Sequence, residues 1–594
     1  KDLTFYSGFG LDLTHLFEEE FMAENLKANS DAYAHDRTSI ALNWNTTNYL
    51  TYAKIFKEKH DINAVIGSDL QSQYIKGQGI YGSGFSNNYF TTPSQASNQG
   101  QWSYENQYAI ISYYTRLSYK LNNKYLLNLT VRSDGSSRFA DNHKYGFFPS
   151  ASAGWIISDE DFINTEGPLN FLKLKTSYGI TGNDNIPNYA YLALYSTNPN
   201  GYNGSQAIFP TSLENPDLRW EKARMLDVTL DYGFFNSKIS GNITYFNKRS
   251  DDLLLPIQLP TSSGFGSLLV NIGALNNWGI EYMLTSHNMN KGDFEWTTDF
   301  NYSRIRNKVL DAANQPPDAF ESGQPGEGRV IVDFPVGQTY VVRFAGIMET
   351  DGTLTKFDED GNIMYDENGN EIVVSVSEGE ALFLDLNGNL MAFGVDDKGT
   401  SDNSDDVNRY TGSSFYDNRV PRGNPNPKFY AGLTNTFKYK AFELSGLINI
   451  VWGHTIYDDP AKNQIGMINQ YAQRTEILDA WTSTNNSNIP SLSTNTQAIN
   501  SDRFLYDGSF IRLRSLTLSY TIPKNIASKM KVNNLKLYAT GYNLLTWTKY
   551  PGWDPEVMRH VPQNSQQANI SFSGPSWQTP QAKILLIGLK LGLK

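Results

Sequence analysis

Long segments in which apolar and polar side chains alternate strictly are the feature that most constrains the fold of this chain. The segment that starts at Tyr125 shows the pattern well. Its two interleaved sets are Tyr125, Leu127, Leu129 and Val131 on one side and Asn128, Thr130, Arg132 and Asp134 on the other. Successive side chains of a strand point to opposite faces. The segment therefore predicts a β-strand with one apolar and one polar face.

The same alternation recurs along the chain and predicts about sixteen strands. Their expected positions are 3–16, 46–57, 61–76, 106–120, 124–136, 145–157, 171–181, 219–233, 237–251, 276–289, 294–307, 428–440, 442–455, 509–521, 534–546 and 582–594. Short turns alternate with long excursions between them. Outer-membrane β-barrels have short turns at one end and long loops at the other. An all-β, antiparallel transmembrane barrel with long extracellular loops is the expected fold.

Composition agrees with a barrel and disfavours several other classes. No run of 18 or more apolar residues occurs, which excludes helical membrane spans. The 49 basic and 61 acidic residues give a net charge of −12, and no basic stripe of the kind found in nucleic-acid binders is present. The chain contains no cysteine, so it has neither disulfides nor a thiolate zinc site. We therefore expect no nucleic-acid partner.

Three stretches resemble one family of outer-membrane proteins. They are Arg132–Trp155, with R-S-D-G-S-S-R-F at its start, Gly423–Phe437, and Leu505–Pro523 followed by the strand that ends at Trp547. In their order along the chain and in their residue patterns, they resemble the barrels of SusC/RagA-type TonB-dependent transporters. The resemblance spans most of the chain, which makes it a specific signal.

The resemblance implies both the architecture and the function. It implies a barrel of about 22 strands with an N-terminal plug, so residues 1–594 would be its barrel portion, with the plug and roughly six strands absent from this chain. It also implies import of oligosaccharides or oligopeptides across the outer membrane of a Gram-negative bacterium of the Bacteroidota. A SusD-like lipoprotein would cap the barrel, and the TonB complex would act through the absent plug. A passive porin and a structural or adhesive surface barrel remain alternatives.

The longest and most acidic excursion, 308–427, is expected to be extracellular. It contains the near-repeats Asp358–Ile363 and Asp366–Glu371, whose Asp-Gly and Asn-Gly steps favour tight hairpin turns. We expect β-hairpins here rather than disorder. Together with the loops near 182–218 and 456–508, this excursion is expected to form the platform for the lipoprotein, because loops of such length are costly to order unless they pack on something.

Two motifs suggest ligands other than nutrients. Gly77–Gly82 matches the dinucleotide fingerprint, but a loop rather than a helix is expected to follow, so a flexible glycine loop is favoured over a cofactor site. Asp385, Asn387 and Asn389, with Asp396 at the twelfth position, follow the spacing of a calcium loop. Leu390 stands where such a loop needs glycine. Calcium is thus possible at these four residues, with a polar hairpin as the default, and no other cofactor is expected.

Candidate substrate contacts are the aromatic residues of the predicted outer loops, since rings can stack on sugars or grip peptide side chains. Those singled out for a substrate vestibule are Tyr89, Trp102, Tyr191, Tyr202 and Tyr416. For any single one of these rings, packing of the loops against one another is the favoured alternative. Arg512 and Arg514 are expected on the polar face, bridging carboxylates. The seven histidines are scattered and neither H-E-x-x-H nor G-x-S-x-G occurs, so enzyme activity is not expected.

Overall fold

The structure is a computed structural model. It describes residues 2–23, 31–202, 205–320, 328–358, 360–396, 407–410, 417–465, 472–492, 499–556 and 579–593. Within them the chain is dominated by β-strands.

Sixteen strands, here numbered β1 to β16, form the main sheet. In chain order they are Leu3–Met22, Tyr33–Phe56, His60–Ser83, Asn98–Leu121, Tyr125–Ser136, Tyr145–Ile156, Leu169–Asn183, Glu221–Phe234, Ile239–Asp251, Ala274–Lys291, Phe294–Asp311, Phe429–Tyr439, Phe442–Trp452, Phe510–Thr521, Val532–Thr548 and Ile584–Leu593. They are hydrogen-bonded to one another in this same order. The alternation along the sequence therefore predicted every strand of the sheet.

The strands pair as consecutive antiparallel neighbours from β1 to β7 and from β11 to β16. Short turns close one end of the sheet, here named the turn end. The turn between β4 and β5 places Asn122 and Asn123 at φ of 52° and 58°. Asparagine tolerates this left-handed conformation better than most residues, and turns with positive φ match the twist of the strands they join. The opposite end is here named the loop end.

Two compact units can be distinguished by their internal contacts. The first comprises Lys1–Tyr232 with Phe246–Ala274, and the second Gly233–Tyr245 with Leu275–Lys594. The first unit also contains two hairpins, with strands Tyr195–Tyr202, Ser205–Pro210, Leu254–Gln258 and Ser267–Asn271.

The second unit contains a set of short strands between β11 and β12 and further small elements between β13 and β14. The strands are Gly328–Arg329, Gln338–Val341, Arg343–Ile347, Gly352–Thr355, Val373–Val376, Ala381–Leu384, Leu390–Asp396, Val407–Tyr410, Val420–Arg422, Thr455–Tyr457 and Leu505–Asp507. Among the described residues of this unit, the α-helices are α1, Asp459–Gln464, which follows β13, and α2, Lys524–Lys529, between β14 and β15, of six residues each. Across the described ranges, no helix is long and apolar enough to cross a membrane.

The prediction of a glycine loop at 77–82 was wrong. Strand β3 continues to Ser83, and Gly77 and Gly79 pair with Tyr104 and Trp102 of β4. Both glycines are buried, because those two rings cover them. A glycine opposite a large ring is compatible with a strand, but the sequence pattern alone resembles a loop.

Candidate functional site

The two faces of the sheet in the first unit are reversed relative to those of a water-soluble protein. On β5 the apolar side chains of Leu127, Leu129 and Val131 are 37%, 41% and 36% exposed. On the opposite face Ser112 and Asp134 are buried, and they face each other across β4 and β5. Soluble monomers rarely expose continuous apolar surface on this scale. The apolar face is therefore suited to lipid.

This apolar face continues from strand to strand in register. Leu117, Leu129, Ala151 and Tyr178 form one row across β4 to β7. Exposed aromatic side chains stand at the short turns of the turn end, as in the girdles that flank the apolar band of membrane barrels. They are Tyr125, Phe235, Tyr439 and Phe442.

The opposite, polar face holds the first half of the R-S-D-G-S-S-R-F segment. Arg132 makes several of the polar contacts on this face. Its Nε donates to Asp134 Oδ1 over 2.7 Å, and its Nη2 donates to Ser112 Oγ over 2.7 Å. A third contact, at 3.4 Å, reaches Asp69 on β3. Three strands are therefore joined by one guanidinium group, which offers several fixed donors.

The second half of this segment ties a loop to the loop end of the sheet. Asp184, just after β7, accepts hydrogen bonds from Ser136 Oγ at 2.7 Å and from the Tyr108 hydroxyl at 3.0 Å. Arg138 donates to Asn188 Oδ1 at 2.7 Å and lies 4.2 Å from the centroid of the Tyr108 ring. The R-S-D-G-S-S-R-F motif therefore serves as a structural clamp, which holds this loop to the sheet, rather than as a site of reactive chemistry.

An apolar cluster completes this clamp. It consists of Phe139, Phe148, Ile186, Leu218 and Trp220, all buried. Tyr191, one of the predicted vestibule residues, packs against this cluster. Its ring therefore contributes to loop packing.

The other predicted vestibule residues do not share one location. Tyr89 is 92% exposed in the connection between β3 and β4. Trp102 lies on the polar face of β4 and stacks on Tyr104, with 5.7 Å between ring centroids. The side chain of Tyr202 and the whole of Tyr416 lie outside the described residues. Of the three whose side chains the structure describes, Trp102 has the setting that best suits a ligand contact.

The predicted calcium residues occupy a tight hairpin turn. Asp385 accepts from the backbone and side-chain nitrogens of Asn389, at 2.7 and 3.0 Å, and Asn387 is exposed. The side chain of Asp396 lies outside the described part. Asp358 with Asn362 and Asp366 with Asn370 repeat the same bonds. Calcium here stays a prediction, and the Asp385 carboxylate already has partners within its own turn.

The hydrogen bonds of the two related turns lower the pKa of both carboxyl groups. For Asp358 the main cause is the amide of Asn362, and for Asp366 it is the amide of Asn370. A carboxylate that accepts backbone N–H bonds favours its ionised form. In the described ranges, no group of three or more His, Cys, Asp or Glu is placed to hold a metal ion.

A family model decides which barrel this is. The model described as TonB dependent receptor-like, beta-barrel matches residues 2–544. The chain belongs to the TonB-dependent receptor-like β-barrel family. An outer-membrane location follows from this membership, and the resemblance to SusC/RagA-type barrels is confirmed.

Curated TonB-dependent receptors align with most of this chain. TonB-dependent receptor P3 of Formosa agariphila is 30% identical over 555 residues, which is 92% of this chain and 52% of the relative. TonB-dependent receptor SusC of Bacteroides thetaiotaomicron is 28% identical over 555 residues, covering 90% of this chain and 50% of SusC. The chain therefore spans about half the length of the curated relatives it matches.

A solved structure of a peptide transporter has the same fold. The structure described as that of the RagAB peptide transporter superposes with a TM-score of 0.79 and 23% identity, covering 100% of this chain and 60% of the other. At this identity the likeness establishes the fold alone.

In the second unit of this TonB-dependent receptor barrel, sequence patterns did not predict a buried ionic network around Asp458. This carboxylate accepts from two nitrogens of Arg474, at 2.8 and 3.0 Å, and from the Tyr550 hydroxyl at 2.7 Å. Burial, followed by the charge of Asp458, raises the pKa of Tyr550. The network joins the connection after β13 to the connection after β15. Asp-Asp-Pro at 458–460 was a helix-start signal that could have located it, since Asp458 caps α1.

The prediction for Arg512 and Arg514 is confirmed. Arg512 is 1% exposed and contacts Asp554 at 2.6 Å and Glu556 at 2.7 Å, while Arg514 contacts Glu556 at 2.8 Å. The carboxylates come from the segment after β15 rather than from neighbouring strands. Pattern reasoning could place the arginines on a face but could not name these partners.

Proposed function

We propose that this chain is the barrel wall of a SusC-type importer that brings oligosaccharides or oligopeptides through the outer membrane with energy from the TonB complex. The observation that carries the proposal is the pair of opposed faces. One face of the sheet across β4 to β7 is apolar and exposed, and the opposite face holds a polar network around Arg132 that joins β3 to β5. Nothing in the proposal requires a bond of the nutrient to be broken.

Under this proposal the loop end faces the cell exterior and binds a SusD-like surface lipoprotein. The support is that the excursion between β11 and β12 is a folded body that packs on the segment after β13. Val342 donates to the Asn500 carbonyl at 3.1 Å, and Ser491 donates to the Gly379 carbonyl at 2.8 Å. Tyr365, Leu386 and Leu478 are more than half exposed on these segments. Exposed apolar side chains on an ordered body suit a protein partner.

The experiment is an uptake assay with the full-length gene product in its host. Deletion of the gene should abolish uptake of one class of oligomeric nutrient, and deletion of tonB should give the same loss while the receptor remains in the outer membrane. Uptake that survives the loss of TonB would favour the passive porin. Unchanged uptake without the receptor gene would favour the structural or adhesive barrel.

A further inference from the structure

Three aromatic rings lie side by side on the polar face near the loop end of β3 and β4. Trp102 and Tyr104 belong to β4 and Tyr81 to β3. Trp102 and Tyr104 pair with Gly79 and Gly77, and Tyr81 pairs with Gly100. All three rings therefore share one face, the same face as Ser112 and Asp134 farther along the sheet. These three residues are here named the ring platform.

Glycine at each partner position makes room for the rings to lie over the neighbouring backbone. A Cβ added at Gly79 would come within 2.7 Å of the Trp102 ring, and one at Gly77 within 2.5 Å of the Tyr104 ring. The Trp102 and Tyr104 rings are inclined by only 13° to each other. Each ring covers a glycine on one side, yet Trp102, Tyr104 and Tyr81 remain 38%, 47% and 45% exposed. The exposed part of each ring is open to a ligand.

Polar groups from β1 and β2 border the ring platform. Arg37 lies opposite Gly79, and His35 lies opposite Tyr81. Arg37 contacts Glu20 at 3.2 Å and His35 Nδ1 at 2.7 Å, while the Tyr33 hydroxyl donates to Glu20 at 2.9 Å. The guanidinium is thus already paired with a carboxylate. The border offers hydrogen-bonding groups without an uncompensated positive charge.

We propose that the ring platform binds a neutral oligosaccharide, which deepens the proposed import function and rests on it. Pyranose rings combine flat C–H faces, which suit aromatic ring faces, with hydroxyl groups that both donate and accept hydrogen bonds. Among the described residues that border the platform, the guanidinium of Arg37 is already paired with Glu20, which disfavours an anionic sugar. Strand β3 offers an extended peptide no free edge, since it is hydrogen-bonded to both β2 and β4, whereas residues 98–109 of β4 pair only with β3, so the peptide arm of the test below is needed to exclude a peptide.

The test uses the full-length receptor purified in detergent. The probes are immobilised neutral hexasaccharides built from glucose, xylose, mannose or galactose, a uronic-acid hexasaccharide series, and a mixed hexapeptide library. The wild type should retain at least one neutral sugar. Trp102→Ala with Tyr104→Ala should weaken that binding by about tenfold or more, since two ring contacts are lost at once.

Two further variants separate lost stacking from lost folding. Tyr113→Ala removes an exposed ring from the opposite face of β4 and should leave sugar binding unchanged. Trp102→Phe keeps a ring over Gly79 and should retain most of the affinity. Heat-modifiable gel migration confirms that each barrel is folded.

Two outcomes would overturn the inference. The first is that the receptor binds uronic-acid sugars or peptides and retains no neutral sugar. The second is that the wild type and the double alanine variant bind the sugar equally. In either case TonB-dependent uptake would still support the proposed import function. Uptake that does not depend on TonB would instead contradict the proposed import function itself.

Discussion

At the scale of single residues, the molecule exposes apolar side chains and buries charged ones. Leu129 is 41% exposed, whereas Asp458 is completely buried and Arg512 nearly so. Lipid explains the first observation, because an apolar side chain in hydrocarbon needs no cover. Multiple partners explain the second, because a buried charge is tolerated only when it is paired and hydrogen-bonded.

The first prediction concerns the lipid-facing assignment of Leu129. Leu129→Arg should lower the free energy of unfolding in lipid vesicles by about 2–4 kcal/mol if the site is near the bilayer midplane. Asn128→Arg, on the polar face of the same strand, should have a small effect, because Asn128 lines a cleft that also contains Asp227. Thr130 is a poorer control, since it pairs with Arg116. Equal effects of the two arginines in urea unfolding would contradict the assignment.

A second prediction concerns the buried carboxylate of Asp458. Asp458→Ala leaves Arg474 without the partner that holds it in the interior and removes the acceptor of the Tyr550 hydroxyl. Breaking a buried pair from one side costs about 3–5 kcal/mol. Proteolysis of the connections after β13 and β15 should accelerate accordingly. Asp293→Ala breaks an exposed pair with Lys440 in the same unit and should leave proteolysis unchanged.

A third prediction concerns pH. Burial lowers the pKa of His454, although Asp507 acts in the opposite direction. Below about pH 6.5 the unfolded chain gains a proton that the folded imidazole resists, so local stability falls as pH decreases. Exchange of the Gly508 amide, which donates to the His454 carbonyl at 2.9 Å, should increase between pH 7 and pH 5.5 after correction for intrinsic rates. In His454→Gln this extra increase should vanish, and its persistence would exclude His454 as the cause.

At the scale of elements, long connections are held to the sheet by compact clamps. Asp184, Arg138 and Phe139 fix the connection after β7, and the Asp458 network fixes those after β13 and β15. Sequence patterns found the strands but not these clamps, because partners that lie 16 to 92 residues apart leave no local periodicity. Strands β1 to β4 were predicted too short for a related reason. Their loop ends carry glycine and polar residues that interrupt the apolar alternation, as at Gly77 and Gly79.

The element-scale prediction tests the proposed lipoprotein surface. Thr355 and Val373 are direct cross-strand partners, so residues 356–372 can be replaced by Asn-Gly, which favours a two-residue turn. The flanking cluster of Val376, Leu382 and Ala392 stays intact. Co-purification of a SusD-like lipoprotein with the full-length receptor should fall, while barrel insertion is unchanged. Undiminished co-purification would exclude this hairpin from docking.

At the scale of the whole molecule, the sequence predicted the fold more completely than the candidate site. The sixteen segments of alternating apolar and polar residues were enough to predict the strands of the sheet, since this alternation is a local property of the chain. The ring platform depends on the register between strands, which sets Trp102 over Gly79 and Tyr104 over Gly77. Register is fixed by many side chains acting together. Trp102 could therefore be named as a candidate, but its partner rings could not.

The most direct test of the barrel account is site-directed spin labelling along β5 in lipid vesicles. The 594 residues contain no cysteine, so single cysteines at positions 126 to 131 can be labelled cleanly. Oxygen partitions into lipid, so its collision rate with the label reports lipid exposure. The account predicts high oxygen accessibility at positions 127, 129 and 131 and low accessibility at 126, 128 and 130. A flat profile, or maxima at the even positions, would contradict it.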